Sequence, residues 1–146
     1  MTDVAIIGGG VTGCAIAREL TRWQLDVCLF EKASDVAEGT SKANSGIVHA
    51  GYDAQPGSQK AKFNIRGAAM FPELSRTLDV PYRQNGSLVV GFSDEDRDRL
   101  GGLFDKGRAN GVEKLELVDG ARAHELCPTL APEVVCALYA PTAGIV

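Results

Sequence analysis

Hydrophobic positions change their spacing twice near the start of the chain. Val4–Ile7 form an uninterrupted apolar run, which predicts a strand buried on both faces of a parallel sheet. Apolar residues then recur three to four positions apart, at Ile16, Leu20 and Trp23, which predicts an amphipathic helix. A second uninterrupted apolar run covers Val27–Phe30. The order strand, helix, strand predicts a parallel, Rossmann-like β-α-β unit.

Three glycines lie where the first predicted strand passes into the helix. Gly8, Gly10 and Gly13 form the spacing G-x-G-x-x-G, which suits a tight turn, a pyrophosphate against backbone N–H groups, and close packing of helix on strand. Glu31 ends the second strand, where a carboxylate can bind an adenosine ribose and would repel the 2′-phosphate of NADP. These features predict a dinucleotide site, and this stretch alone leaves FAD and NAD open.

Bulk composition narrows the function classes. The 146 residues carry 15 basic and 19 acidic side chains, a net charge of −4, without long blocks of either sign, so nucleic acid is not an expected partner. No apolar run approaches the ~20 residues that span a bilayer, so no transmembrane segment is expected. The early first strand leaves no room for a signal peptide, which predicts a cytoplasmic protein. The four cysteines lack metal-ligand spacing and are expected to be buried, reduced thiols, with no metal site.

Periodicity disappears between Lys32 and Gln59. The segment is rich in glycine and short polar residues and is too long for an idle connection in a compact domain. It leaves the carboxyl end of the second strand, where doubly wound sheets bind their ligands, so we interpret it as functional. A cluster of ordinary Asx and Ser turns is the alternative interpretation.

This segment carries a family resemblance. Together with the opening fingerprint and Glu31-Lys32, residues 39–51, GTSKANSGIVHAG, resemble the FAD-dependent oxidoreductases of the D-amino-acid oxidase superfamily. The branch that is most similar contains the L-2-hydroxyglutarate oxidases and the anaerobic type of glycerol-3-phosphate dehydrogenase. The likeness continues through PGS-x-KAK at 56–62, NGSLVV at 85–90 and TAGIV at 142–146, so it covers essentially the whole chain.

The resemblance implies FAD as the cofactor and extends the set of site residues. The implied cofactor contacts, beyond the three glycines and Glu31, are Lys32, Thr40, Ser41, Asn44, Ser45 and Gly46. His49 would lie near the flavin ring, as a base for a substrate hydroxyl or as a point of covalent attachment. A loop histidine bonded to backbone, and a solvated Lys32, are the alternatives.

The second half of the chain predicts mixed helices and antiparallel strands. Ser58 to Val80 should form a helix capped by Ser58 and kinked or split at Pro72, with an apolar stripe at Phe63, Gly67, Phe71, Leu74 and Leu78. Asn85-Gly86 predicts a hairpin between residues 82–84 and 87–92. Four further elements complete the prediction. They are a helix from the 93–96 cap to 110–111, a strand at 114–118 with Leu115 and Leu117 inward, a helix capped by Asp119, and a buried strand at 134–139.

These elements predict an α/β protein. Residues 1–80 are expected to form the first part of an FAD-binding domain, and residues 81–146 the first part of an α+β antiparallel substrate domain. Family members are much longer, so we expect the N-terminal part of a larger enzyme; a complete small protein is the alternative.

The resemblance implies oxidation of an α-hydroxy acid or glycerol 3-phosphate by hydride transfer to flavin N5. The expected partners are a small anionic substrate, which Lys60, Lys62 and Arg66 would hold unless they form a solvated face, and an electron acceptor: quinone, protein or oxygen. Three alternatives stay open. They are an FAD-dependent amino-acid or amine oxidase, a non-catalytic nucleotide-binding remnant, and an NAD-dependent dehydrogenase, which leaves the 39–51 segment unexplained.

Overall fold

The computed structural model describes residues 1–146, and their contacts divide them into two compact units, Met1–Ser45 and Gly46–Val146. The first unit contains strand β1 (Val4–Ile7), helix α1 (Val11–Leu20) and strand β2 (Val27–Phe30). β1 and β2 pair in parallel, with Val4 opposite Val27 and Ile7 opposite Phe30. The predicted parallel β-α-β unit is therefore confirmed.

The predicted burial within the first unit is wrong in two respects. In β1 only Ile6 is buried, while Ile7 is 82% exposed, because α1 packs against one face of the sheet and no second helix of this unit covers the other. α1 ends at Leu20, so Trp23 lies beyond it, and Ile16 is also exposed. The buried residue of α1 is Gly13, because close approach at this glycine turns its side of the helix toward the sheet.

The second unit is built around a three-stranded antiparallel sheet. Its order is β4 (Ser87–Gly91), β6 (Cys136–Ala140), β5 (Glu116–Asp119), so the strand that is last in sequence lies in the centre. A separate short ladder joins β3 (Ile47–Val48) to β7 (Gly144–Ile145). Three helices complete the unit: α2 (Gln59–Leu78), α3 (Asp94–Asn110) and α4 (Gly120–Leu126).

Alternation along β6 creates two small cores. Cys136 and Leu138 belong to one cluster, together with Leu100 of α3, while Ala137 belongs to a second cluster with Ala123 of α4. Successive side chains of a strand point to opposite faces, so α3 and α4 cover opposite faces of the sheet. The predicted buried strand in this region is confirmed, and Leu138 is 0% exposed.

The predicted helix starts in the second unit are confirmed. Ser58 Oγ accepts the Ala61 N–H at 3.1 Å, and Ser93 Oγ accepts the Asp96 N–H at 3.2 Å. Asp119 caps α4 by accepting the Arg122 N–H at 2.8 Å. α3 also ends as predicted, at Asn110, with Gly111 as its C-cap at a φ of 83°.

Three further predictions for this unit are wrong. Residues 82–84 and 87–92 do not form a hairpin, because Arg83 pairs with Ile145 while β4 pairs with β6. α2 is one continuous helix that contains Pro72, so it is not split there, and the predicted kink stays a prediction. The predicted stripe is outward only at its two ends: Phe63 and Leu78 are 59% and 51% exposed, while Gly67, Phe71 and Leu74 are half-buried. Leu115 is buried as predicted, but Leu117, which lies in the edge strand β5, is 47% exposed.

The cysteines and helices bear on two other expectations. All four cysteines are free, but only Cys136 is buried, and Cys14, Cys28 and Cys127 are half-buried. None of the helices combines the length and the apolar character that crossing a bilayer requires. The predicted division near residue 80 concerns functional domains and stays a prediction.

Candidate functional site

The glycine turn after β1 is held by the carboxylate at the end of β2. Gly8 has a φ of 102° and donates its N–H to the Phe30 carbonyl at 2.7 Å, which extends the parallel pairing by one residue. The Gly9 N–H donates to Glu31 Oε2 at 2.8 Å, and the Ala33 N–H donates to Glu31 Oε1 at 2.9 Å. These N–H groups, first that of Ala33 and then that of Gly9, lower the pKa of Glu31, so the carboxylate stays ionised.

Close packing explains why two positions of the turn are glycine. A Cβ at Gly13 would lie 1.9 Å from the Gly8 carbonyl oxygen, a distance that no real contact allows. A Cβ at Gly10 would lie 3.2 Å from Ser41 Oγ, which is tight contact. The bare backbone therefore lets α1, the turn and the 31–45 segment approach one another.

The start of α1 offers donors to an anion. Gly10 is its N-cap and makes no side-chain cap, and the first turn contains no acidic residue. Ser41 Oγ accepts the Val11 N–H at 2.9 Å, which leaves the hydroxyl hydrogen of Ser41 available to donate in turn. First-turn N–H groups have no partner within their own helix, and the helix dipole favours negative charge there. A pyrophosphate fits this arrangement of donors.

The other predicted contacts in the first unit lie along the same segment. Thr40 and Asn44 flank Ser41 in a series of turns, in which the Ala43 N–H donates to the Thr40 carbonyl at 3.1 Å and the Asn44 amide donates to the Ser41 carbonyl. Ser45 and Lys32 are exposed. The structure thus brings together Gly8, Gly10, Gly13, Glu31 and Ser41. Lys32 directly follows Glu31 in sequence, and its predicted contact with the cofactor stays a prediction.

Gly46 and His49 lie in the second unit. Gly46 has a φ of 67°, and its carbonyl accepts the Val146 N–H at 2.9 Å beside the β3–β7 ladder. His49 is exposed, and its carbonyl accepts a hydrogen bond from the Asn64 amide at 3.3 Å. His49 borders a cavity of about 440 Å³, whose other lining residues include Tyr52, Lys60 and Leu103.

Sequence reasoning missed the residues that hold the His49 loop. The Asn110 amide donates to the carbonyls of Gly51 at 3.0 Å and Ala54 at 2.7 Å. Gly107 approaches the same loop, since a Cβ there would lie 2.9 Å from Tyr52 Cβ. Asn110 reads in sequence only as the end of a helix, and no local signal links it to a loop more than fifty residues earlier.

The cationic side chains of α2 are dispersed. Lys60 Nζ lies 3.8 Å from an Asp53 carboxylate oxygen, and Lys62 Nζ lies 5.9 Å from the centre of the Phe63 ring. Lys62 and Arg66 border a shallow cavity of about 580 Å³. All three cations are exposed, as a solvated helix face requires, and their predicted role in holding an anionic substrate stays a prediction.

The first unit is a parallel β-α-β unit that combines a glycine turn, a helix start that suits a pyrophosphate, and a carboxylate at the end of its second strand. This combination defines a dinucleotide-binding protein. The chain belongs to the DAO family of FAD dependent oxidoreductases, whose sequence profile matches residues 3–146. The predicted family, the α/β fold class and FAD as the family's cofactor are thereby confirmed.

Relatives at higher identity fall in the predicted branch. The chain is 49% identical over 146 residues to a glycerol 3-phosphate dehydrogenase of Caloramator mitchellensis, covering 100% of this chain and 30% of the relative. It is 39% identical to a mitochondrial L-2-hydroxyglutarate dehydrogenase of Caenorhabditis elegans, covering 99% of this chain and 33% of that protein. The chain therefore spans about a third of the length of these curated relatives.

Solved structures agree on the fold. The dithionite-reduced L-α-glycerophosphate oxidase from Mycoplasma pneumoniae, with FAD bound, superposes with a TM-score of 0.90 at 35% identity, covering 99% of this chain and 38% of that one. A glycine oxidase from Geobacillus kaustophilus superposes with a TM-score of 0.87 at 29% identity, covering 99% and 40%.

Proposed function

We propose that the chain forms the flavin-binding, N-terminal part of an enzyme that oxidises glycerol 3-phosphate. The observation that carries FAD binding is the turn geometry, in which Glu31 holds Gly9 and Ser41 lies at the start of α1. The substrate rests on the 49% identity to a glycerol 3-phosphate dehydrogenase over the whole chain. An α-hydroxy acid such as L-2-hydroxyglutarate is the neighbouring substrate within the same proposal.

Each candidate residue has a role that its chemistry supports. The first-turn N–H groups of α1 beyond Val11, whose N–H bonds to Ser41, and the Ser41 hydroxyl would hold the pyrophosphate. Glu31 would accept hydrogen bonds from the adenosine ribose. The short polar side chains of Thr40, Asn44 and Ser45 and the bare backbone of Gly46 would contact the pyrophosphate and the isoalloxazine ring. Lys32 would lie along the adenine. When bound, FAD supplies the hydride acceptor.

His49 is the candidate base of the chain. A neutral imidazole can accept the proton of a substrate hydroxyl, and the cavity beside His49 is large enough for a small anionic molecule. Lys60 also borders this cavity and would attract a phosphate or carboxylate, although the Asp53 carboxylate 3.8 Å from its Nζ borders the same cavity and offsets part of that attraction. Covalent attachment of flavin through His49 is the competing role, and release of the flavin by acid precipitation would exclude it.

Anaerobic reduction of the flavin tests the substrate. The protein, expressed from its complete coding region, should purify yellow, and its visible absorbance should bleach on addition of glycerol 3-phosphate. L-2-Hydroxyglutarate and glycine serve as parallel additions. A colourless protein that does not take up FAD would refute the proposal, and bleaching by L-2-hydroxyglutarate alone would move the substrate to the hydroxy acid.

An amine substrate is the second candidate, favoured by the likeness to glycine oxidase. Bleaching by glycine or sarcosine, with no response to glycerol 3-phosphate, would establish it. FAD binding without reduction by any of these compounds would favour a non-catalytic nucleotide-binding protein.

The electron acceptor stays open between quinone, another protein and oxygen. Reoxidation of the reduced flavin by each of them distinguishes these alternatives. The expected cytoplasmic location is tested by cell fractionation.

A further inference from the structure

The peptide between Gly9 and Gly10 is fastened on one side by residues outside the glycine motif. The Gly9 carbonyl accepts the Ala37 N–H at 2.9 Å and the Cys14 thiol at 3.3 Å. The Gly9 N–H, on the preceding peptide, donates to Glu31. Gly9 therefore has both its backbone polar groups bonded to protein.

This fastening determines where the Gly10 N–H points. A trans peptide is planar, and its C=O and N–H bonds point in opposite directions. The chain contains no cis peptide bond, so the carbonyl that faces Ala37 and Cys14 directs the Gly10 N–H away from both. Gly10 is the N-cap of α1, so this N–H joins the donors at the helix start.

Ala37 makes its hydrogen bond from an unfavourable backbone conformation. Its φ is 62°, in the left-handed region that residues with a Cβ rarely adopt. The neighbouring Val36 packs closely against the turn, since a Cβ at Gly9 would lie 3.1 Å from Val36 Cγ1. The segment is thus held against the turn in one conformation.

We propose that Ala37 is a positioning residue for the cofactor: its left-handed conformation fastens the Gly9 carbonyl and so aims the Gly10 N–H at the FAD pyrophosphate. The inference rests on the proposed function only through FAD binding. Without this bond the Gly9–Gly10 peptide can rotate, and its carbonyl oxygen would then repel the phosphate.

The test compares variants at Ala37 by FAD titration of the apoprotein prepared from the holoenzyme. Ala37→Val, which disfavours a positive φ, should raise the dissociation constant of FAD about tenfold. Ala37→Gly, which adopts this φ freely, should bind FAD at least as tightly as the wild type. Equal binding by all three proteins, or equal weakening by both variants, would overturn the proposal.

Asp79 provides a matched control. It has a φ of 52° at the end of α2, so Asp79→Val introduces similar backbone strain in the other unit. This variant should lower the melting temperature while leaving the FAD dissociation constant within about twofold of wild type. If it weakens FAD as much as Ala37→Val does, general destabilisation explains both results and the proposal fails.

Two measurements separate positioning from stability. ADP carries a diphosphate and adenosine does not, so Ala37→Val should weaken competition by ADP for the FAD site and leave competition by adenosine unchanged. Hydrogen exchange on the wild type needs no variant: the Ala37 amide should be protected in the apoprotein, and the Gly10 amide only once FAD is bound. Equal weakening of ADP and adenosine, or an unprotected Ala37 amide, overturns the proposal. A wild type that binds no FAD refutes the proposed function instead.

Discussion

Gly13→Ala provides the sharpest test of the cofactor site, because the clash it creates is with backbone. The new Cβ would lie 1.9 Å from the Gly8 carbonyl oxygen and 3.1 Å from the Gly8 carbonyl carbon. Neither atom belongs to a flexible side chain, so α1 must move away from the turn by about 1.5 Å to restore an ordinary contact. Overpacking of this kind costs about 1–3 kcal/mol of folding free energy.

The same displacement would disable the pyrophosphate donors. A hydrogen bond of about 2.9 Å that lengthens by about 1.5 Å is lost. Each bond to a charged group contributes about 1.5–3 kcal/mol, so losing one raises the FAD dissociation constant about tenfold to a hundredfold. FAD titration by fluorescence quenching, together with thermal unfolding of the apoprotein, measures both effects.

Gly102→Ala is the matched control. Gly102 lies within α3, and a Cβ there meets no atom within 4 Å. The control should stabilise the protein by about 0.5–1 kcal/mol, because alanine favours the helix, and should leave FAD affinity unchanged. A Gly13→Ala protein that binds FAD as tightly as this control would refute the packing argument.

Three further predictions concern a carboxylate, a helix cap and the candidate base. Backbone donors lower the pKa of Glu31, so the stability that this carboxylate contributes is present above the ordinary pKa of 4.5 and is lost as the pH falls through the lower folded value. Glu31→Gln should therefore flatten the acid side of a plot of melting temperature against pH. An unchanged slope would contradict this prediction. Ser93→Ala should cost about 1 kcal/mol in denaturant unfolding by removing the cap of α3, while Ser93→Thr should restore most of it. His49→Ala should slow anaerobic flavin reduction by about a hundredfold or more without changing the FAD dissociation constant, and undiminished reduction would exclude His49 as the base.

Local signals predicted the elements but not their partners. Ser58, Ser93 and Asp119 mark helix starts because a capping side chain bonds to the N–H groups two or three residues later in the same chain segment. Asn85-Gly86 predicted a turn, and Gly86 does have a φ of 74°. The hairpin was wrong because pairing is decided by competition among strands, and Arg83 pairs with Ile145 instead.

The residues of the candidate site also differ in whether a local sequence signal predicts them. The glycine spacing and Glu31 are readable because each acts within one β-α-β unit of regular geometry. Ala37 and Asn110 carry no comparable signal. Ala37 matters through a backbone N–H, which every residue except proline possesses, and Asn110 through carbonyls of a loop more than fifty residues away.

The sequence by itself determined the parallel β-α-β unit, the glycine turn, the helix caps and the family. These follow from periodicity, steric need and short-range hydrogen bonds, all of which are local. Only the tertiary structure decided that β6 lies between β4 and β5, that Gly13 rather than Ile16 faces the sheet, and that Ala37 holds the Gly9 carbonyl. Each of these depends on which distant segments come into contact, and the free energy of that choice is shared across the whole core rather than encoded in any one stretch.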